Sequence, residues 1–150
     1  MIERERKFKL KYLPTEYIVN EQKIHQGYLM FDGAKHLRVR IIEDKFGVSA
    51  YLTLKTIKSD SEKEEYEFPI CEEAAKELFD STEEKLTKTR YKSVFQGNTV
   101  DIDCFEDGTT WVEIEYEEEL TDVPDYCGEE ITGIKEFSNI YIAKQKAKKQ

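Results

Sequence analysis

The chain has 150 residues, 37% of them charged and only 39% hydrophobic, with a formal net charge of −9; the length fits one domain over residues 1–150. That charge disfavours a protein that rides on nucleic-acid backbone, which needs a basic footprint, and nine Tyr, eight Phe and one Trp, regularly spaced with other apolar residues, argue against disorder. No stretch approaches about 18 apolar residues, the opening Met-Ile-Glu-Arg-Glu-Arg-Lys has no apolar leader core, and Cys71, Cys104 and Cys127 show no ligand spacing, so a cytoplasmic protein with reduced thiols and no membrane span is expected.

Period-2 alternation dominates the chain and predicts strands over Ile2–Leu10, Gly27–Met30, His36–Glu43, Val48–Thr56, Lys63–Ile70, Lys85–Phe95, Asn98–Phe105 and Thr110–Glu117. A short helix is expected over Pro14–Val19. Helical spacing of Ala74, Ala75, Leu78 and Phe79 predicts a helix over Cys71–Phe79, and Ile140, Ile142, Ala143 and Ala147 predict another over Ser138–Lys148, capped by Ser138 or Asn139. The Lys-rich tail, Lys144–Gln150, reads as a solvated helix end. Asp32-Gly33, Gln96-Gly97-Asn98 and Asp107-Gly108 suit positive φ in tight turns. Strands joined by short turns give an antiparallel sheet, and about eight of them can close into a barrel. The fold class is therefore α+β: an eight-stranded antiparallel β-barrel with a few flanking helices.

Residues i and i+2 of a strand share a face, about 6.5–7 Å apart. Glu3, Glu5 and Lys7 share one such face, and Arg38 and Arg40 another. Lys55 stands opposite Leu52 and Leu54. Glu65 and Glu67, Lys88 and Arg90, Asp101 and Asp103, and Glu113 and Glu115 each alternate with apolar or neutral residues. A solvated outer face is the usual reading of any single pair. Like charges stacked on strand after strand are different, because two of them about 5–7 Å apart repel by roughly 2–3 kcal/mol at an effective dielectric near about 20. Ligands of opposite sign would relieve that repulsion: divalent metal between carboxylates, phosphate oxygens among Arg and Lys. Turned inward, these faces would line a polar, charged lumen and leave the apolar faces outside, to be covered by helices or by a second subunit in a homodimer.

The opening Ile-Glu-Arg-Glu-Arg-Lys-Phe resembles the ExExK signature of the CYTH superfamily, the triphosphate tunnel metalloenzymes. The resemblance continues in order through Gln26-Gly27-Tyr28-Leu29, Leu37-Arg38-Val39-Arg40, Leu52-Thr53-Leu54-Lys55, Glu65-Tyr66-Glu67, Lys88-Thr89-Arg90-Tyr91, Asp101-Ile102-Asp103 and Glu113-Ile114-Glu115. It ends with Gly128-Glu129-Glu130-Ile131-Thr132, Lys135 and Asn139. The look is closest to the short prokaryotic enzymes acting on inorganic tripolyphosphate. The resemblance implies a tunnel that binds a small-molecule triphosphate and hydrolyses it to diphosphate and phosphate by water activated by Mg²⁺ or Mn²⁺. Carried over by position, Glu3, Glu5, Glu113 and Glu115, with Asp103 nearby, would hold metal. Lys7, Arg38, Arg40, Lys55, Lys88, Arg90 and Lys135 would bind phosphate. Glu65 and Glu67 would orient those bases or a water, Tyr28 would position the leaving group or water, and Lys7 would assist catalysis as a phosphate ligand rather than as the base, since surrounding carboxylates raise a lysine's pKa.

Within the same family stand the alternatives of a nucleoside or thiamine triphosphatase and a class IV adenylate cyclase. A non-catalytic polyphosphate-binding module is disfavoured by the intact acidic pairs. Trp111 is either a stacking platform for an organic group at the tunnel mouth or a packing residue; His25 and His36 carry no metal spacing and no assigned role.

Overall fold

A computed structural model describes residues 1–149; Gln150, the end of the Lys-rich tail, lies outside them. Eight strands close into an antiparallel barrel: β1 (Ile2–Leu10), β2 (Asn20–Asp32), β3 (Lys35–Asp44), β4 (Gly47–Ile57), β5 (Glu62–Pro69), β6 (Lys85–Phe95), β7 (Asn98–Phe105) and β8 (Thr110–Glu115). Their order around the wall is β5-β4-β3-β2-β6-β7-β8-β1, and β1 meets β5 again through Ile2↔Glu64, Glu3↔Lys63 and Arg4↔Glu62. Beyond that seam the same edge of β1 is taken by a short ninth strand, β9 (Cys127–Glu130), through Phe8↔Glu130 and Leu10↔Cys127. The helices are α1 (Glu72–Ser81) and α2 (Asn139–Lys148), with one 3₁₀ turn at Thr15–Tyr17 inside the expected Pro14–Val19 segment. No described helix is long and apolar enough to cross a membrane.

Most boundaries fall within two residues of the sequence expectation, β8 for instance ending at Glu115 rather than Glu117; one start and one added strand depart further. β2 starts at Asn20 rather than Gly27, because backbone pairing with β6 from Asn20↔Lys92 to Gly27↔Lys85 carries a polar stretch with weak strand propensity. β9 was not expected, since Gly128, Glu129 and Glu130 carry no strand signal of their own and pair only because the edge of β1 is free there. The turns follow their chemistry: Gly33, Gly97 and Gly108 have φ of 56°, 80° and 92°, and Gln96 joins Gly97 at a φ of 50°.

The barrel is inside out, with apolar packing on its outer surface. α1 lays Ala75, Leu78 and Phe79 on Val39, Ile41 and Ala50, outside β3 and β4. The segment after β8 lays Leu120, Val123 and Tyr126 on Phe8, Val100, Ile102, Val112 and Ile114, outside β1, β7 and β8. α2 brings Ile142 and Ala143 onto Tyr28, Leu86, Phe105 and Trp111, lumen-side residues that close one end of the barrel with apolar surface. Tyr66 and Phe68, outward on β5, remain exposed. One close approach fixes α1's exit: a Cβ on Gly27 would stand 2.5 Å from Thr82 Cγ2, so glycine is what fits there.

Candidate functional site

Strand alternation puts the charged rows on the lumen, which holds a cavity of about 480 Å³. Glu3, Glu5, Lys7, Tyr28, Arg38, Arg40, Lys55, Glu65, Glu67, Arg90, Glu113, Glu115 and Lys135 all line it. Lys88 and Asp103 do not. They lie on the same lumen-facing rows but beyond the cavity, at the end closed by α2, 1% and 0% exposed. Lys88 Nζ donates to Asp103 Oδ2 and Asn139 Oδ1, both at 2.8 Å. Arg90 grips the same carboxylate through Nε at 2.8 Å and Nη2 at 2.9 Å. Asp103, expected near metal, thus has both oxygens engaged by cations. Burial would raise its pKa, but Arg90 and Lys88 hold it below the usual carboxylate range; burial pushes Lys88 down to about 7 despite Asp103.

The acidic wall is built by register. Glu5 lies opposite Glu115 across β1–β8, Lys7 opposite Glu113, and Asp101 opposite Glu113 across β7–β8. Like charges directly opposite each other destabilise a sheet unless something neutral or positive intervenes. Burial, then Glu65 and Glu115, raises Glu3 to about 7. Burial, Asp101 and Glu5 raise Glu115. Burial would raise Glu113 as well, but Lys7, Arg90, Lys63 and Lys88 hold it well below the ordinary range. Glu113 also accepts from Trp111 Nε1 at 2.8 Å.

The basic wall runs along β3 and β4. Arg40 Nε donates to Gln26 Oε1 at 2.8 Å, and Gln26 Nε2 donates to Tyr28 Oη at 2.8 Å, so two buried neighbours fix the guanidinium. Arg38 is 5% exposed; Nη2 stands 3.9 Å from Glu65 Oε1, and its Nε has no acceptor among the described residues. Burial would raise Glu65, but Arg38, Lys55 and Lys63 hold it low. Burial, Lys63 and Arg38 hold Lys55 well below the ordinary lysine value. Lys7 Nζ donates to the Phe137 carbonyl at 2.7 Å, 3.9 Å from Glu113 and 4.4 Å from the centre of the Trp111 ring. Glu67 and Lys135 are exposed, at the rim.

Trp111 is wholly buried against Phe105, the packing alternative. Tyr28 packs in the apolar end and edge-on to His36, centroids 6.0 Å apart, with its hydroxyl on Gln26. His36, left without a role, also lines the cavity, as do Lys63, Lys92, Asp101 and Asn139. Lys63 and Lys92 were legible: each lies two residues along a row already recognised, before Glu65 and after Arg90. Gln26 follows from the same parity with Tyr28, although nothing local marks it as buried.

The carboxylates suit a hard divalent cation by donor type. They form a wall rather than a cage: among the described residues no three His, Cys, Asp or Glu side chains converge on one point. That is the arrangement Mg²⁺-class ions use, bound by one or two carboxylates with the remaining positions filled by water and substrate phosphate.

Residues 1–147 match the family described as the CYTH domain. The chain is 36% identical over 126 residues to an inorganic triphosphatase of Acetivibrio thermocellus, covering 79% of this chain and 78% of that protein. Among solved structures, the inorganic triphosphatase NE1496 aligns with a TM-score of 0.67 and 28% identity over 94% of this chain and 93% of that one. The PH1819 protein from Pyrococcus horikoshii OT3 aligns with a TM-score of 0.60 and 25% identity over 80% of each. With its charged rows turned into one closed lumen, this chain belongs to the CYTH domain family.

Proposed function

We propose that this enzyme is a triphosphatase that hydrolyses inorganic tripolyphosphate to diphosphate and phosphate with Mg²⁺ or Mn²⁺. The observation that carries the reading is Arg38: a guanidinium 5% exposed, aimed into the cavity, with an Nε–H that no described residue accepts. A buried donor of that kind fits a phosphate oxygen. Across the lumen stands a surplus of carboxylates that fits a divalent ion, and the two walls together fit an anion that arrives with its cation.

Arg38, Arg40 and Lys55 bind phosphate oxygens along β3 and β4, and Arg90, Lys7 and Lys135 complete the basic lining. Their charge is offered to the transferring phosphoryl group, where negative charge is spread over the equatorial oxygens. Glu3, Glu5, Glu113 and Glu115 would hold the metal. A bound divalent ion supplies a Lewis acid that polarises phosphate oxygens and lowers the pKa of water. Glu65 orients Arg38, and Glu67 faces an incoming water at the rim. Asp103 acts from the closed end, outside the cavity, by fixing Arg90 and Lys88. The Gln26–Tyr28 pair keeps Arg40 aimed at substrate.

The burial of Trp111 favours the inorganic substrate over nucleoside or thiamine triphosphates, because the tryptophan has no free face for a ring. The test is phosphate and cyclic-nucleotide release from tripolyphosphate, ATP and thiamine triphosphate, each with Mg²⁺, Mn²⁺ or chelator. Metal-dependent phosphate release fastest from tripolyphosphate is expected. Cyclic nucleotide as the main product, or no turnover of tripolyphosphate, overturns the reading.

A further inference from the structure

Lys63 lines the tunnel and belongs neither to the metal-holding carboxylates nor to the β3–β4 basic wall. It precedes Glu65 by two residues on β5, so alternation turns it into the lumen. At the seam it lies in register with Glu3, and its ammonium donates to Glu5. The side chain is only 13% exposed. Both signs surround it: its charge helps hold Glu65 and Glu113 ionised and helps push Lys55 down. Lys63 is thus the cation that joins the acidic wall to the basic one.

Glu5 is one of the carboxylates assigned to the divalent ion. An ammonium and a divalent cation on one carboxylate repel each other, so entry of the ion must move Lys63. A lysine ammonium is a point charge on a flexible stem, and it can swing where a guanidinium fork would stay locked. The triphosphate brings the acceptor oxygens that such a displaced ammonium needs.

We propose that Lys63 is a displaceable counter-ion that holds Glu5 in the free tunnel and moves onto a phosphate oxygen of the triphosphate when a divalent ion takes Glu5. This rests on the metal-and-triphosphate reading above. Its consequence is reciprocal coupling: the ion frees Lys63 for phosphate, and phosphate draws Lys63 off Glu5.

The experiment measures binding, without turnover. Mn²⁺ alone is titrated into substrate-free protein and followed by electron paramagnetic resonance of the free ion. A non-hydrolysable imido analogue of tripolyphosphate is titrated by calorimetry, with chelator and with Mn²⁺. In Lys63→Met, Mn²⁺ alone is expected to bind about tenfold tighter, the effect of removing one competing charge from a partly screened site. The tightening of analogue binding by Mn²⁺ should fall about tenfold, because the displaced ammonium is gone. Lys63→Arg keeps the charge and can grip Glu5 with two N–H groups, so it should bind Mn²⁺ alone less tightly than the wild type does. It also keeps the test open if the methionine variant does not fold. Wild-type affinities in the folded variants, while the wild type itself binds Mn²⁺ and the analogue, would overturn the proposal for Lys63 alone. A wild type that binds neither would overturn the triphosphate reading itself.

Discussion

Arg90 holds Asp103 through two parallel hydrogen bonds of 2.8 and 2.9 Å, and Lys88 adds a third contact to the same carboxylate at 2.8 Å. One wholly buried acid therefore serves two buried cations, of which only Arg90 opens on the cavity. Breaking a buried pair leaves its partners charged and unpaired, at a cost of about 3–5 kcal/mol. Asp103→Ala is expected to lose stability on that scale, read as a lower urea midpoint with an unchanged slope. A midpoint within experimental error of wild type would show that water repairs the site.

Glu5→Gln keeps the shape of the side chain and removes the charge that the divalent ion needs. It is expected to lower metal-dependent tripolyphosphate hydrolysis by about a hundredfold or more. Retention of full metal-dependent activity would remove Glu5 from the metal site.

Gln26 accepts from Arg40 and donates to Tyr28. Gln26→Leu fills similar space and releases both. The expected result is a drop of about tenfold in kcat/KM for tripolyphosphate with folding retained. Tyr28→Phe leaves the bond from Arg40 to Gln26 in place and should cost only about twofold to threefold. Equal losses in the two variants would mean that the tyrosine hydroxyl touches substrate directly.

Burial, with Lys55 and Arg38 nearby, pushes His36 down to about 4 from an ordinary value of 6.5. Between those values the unfolded chain binds the proton that the folded chain refuses. The contribution of His36 is therefore fully present above about pH 6.5 and is lost as pH falls toward about 4, amounting to about 2 kcal/mol after solvent screening. Glu113 and Asp103, held low in the fold, lose stability in the same direction at still lower pH. The comparison that isolates His36 is the urea midpoint at about pH 7.5 and about pH 5 for wild type and His36→Gln. The variant should show the smaller decline; identical declines would place His36 in water.

Much of this site can be read from alternation alone. Arg38 and Arg40 share a lumen row because they are two residues apart, and so do Glu3, Glu5 and Lys7. Depth cannot be read that way. Lys88 has the same parity as Arg90, yet it is shut off from the cavity because α2 sets Asn139 over it at the closed end. Neither the proximity of residues 88 and 139 nor the sharing of Asp103 leaves a local trace. β9 was hidden for a related reason: Cys127–Glu130 becomes a strand only where β1 offers an edge. Lys63 could have been found by extending the Glu65–Glu67 row one step back.

The closure of the barrel also sets a timetable for its assembly. β1 precedes in the chain every strand it pairs with, namely β5, β8 and β9. On the ribosome, the strand bearing Glu3, Glu5 and Lys7 must wait until residues beyond 110 have emerged before β8 can pair with it, and until about residue 130 for β9. Pairings at such sequence separation form slowly. In the nascent chain β5 can bring Lys63 to Glu3 and Glu5 early, but Glu5 and Lys7 wait for their β8 partners Glu115 and Glu113, and a product truncated before Thr110 cannot assemble the acidic wall.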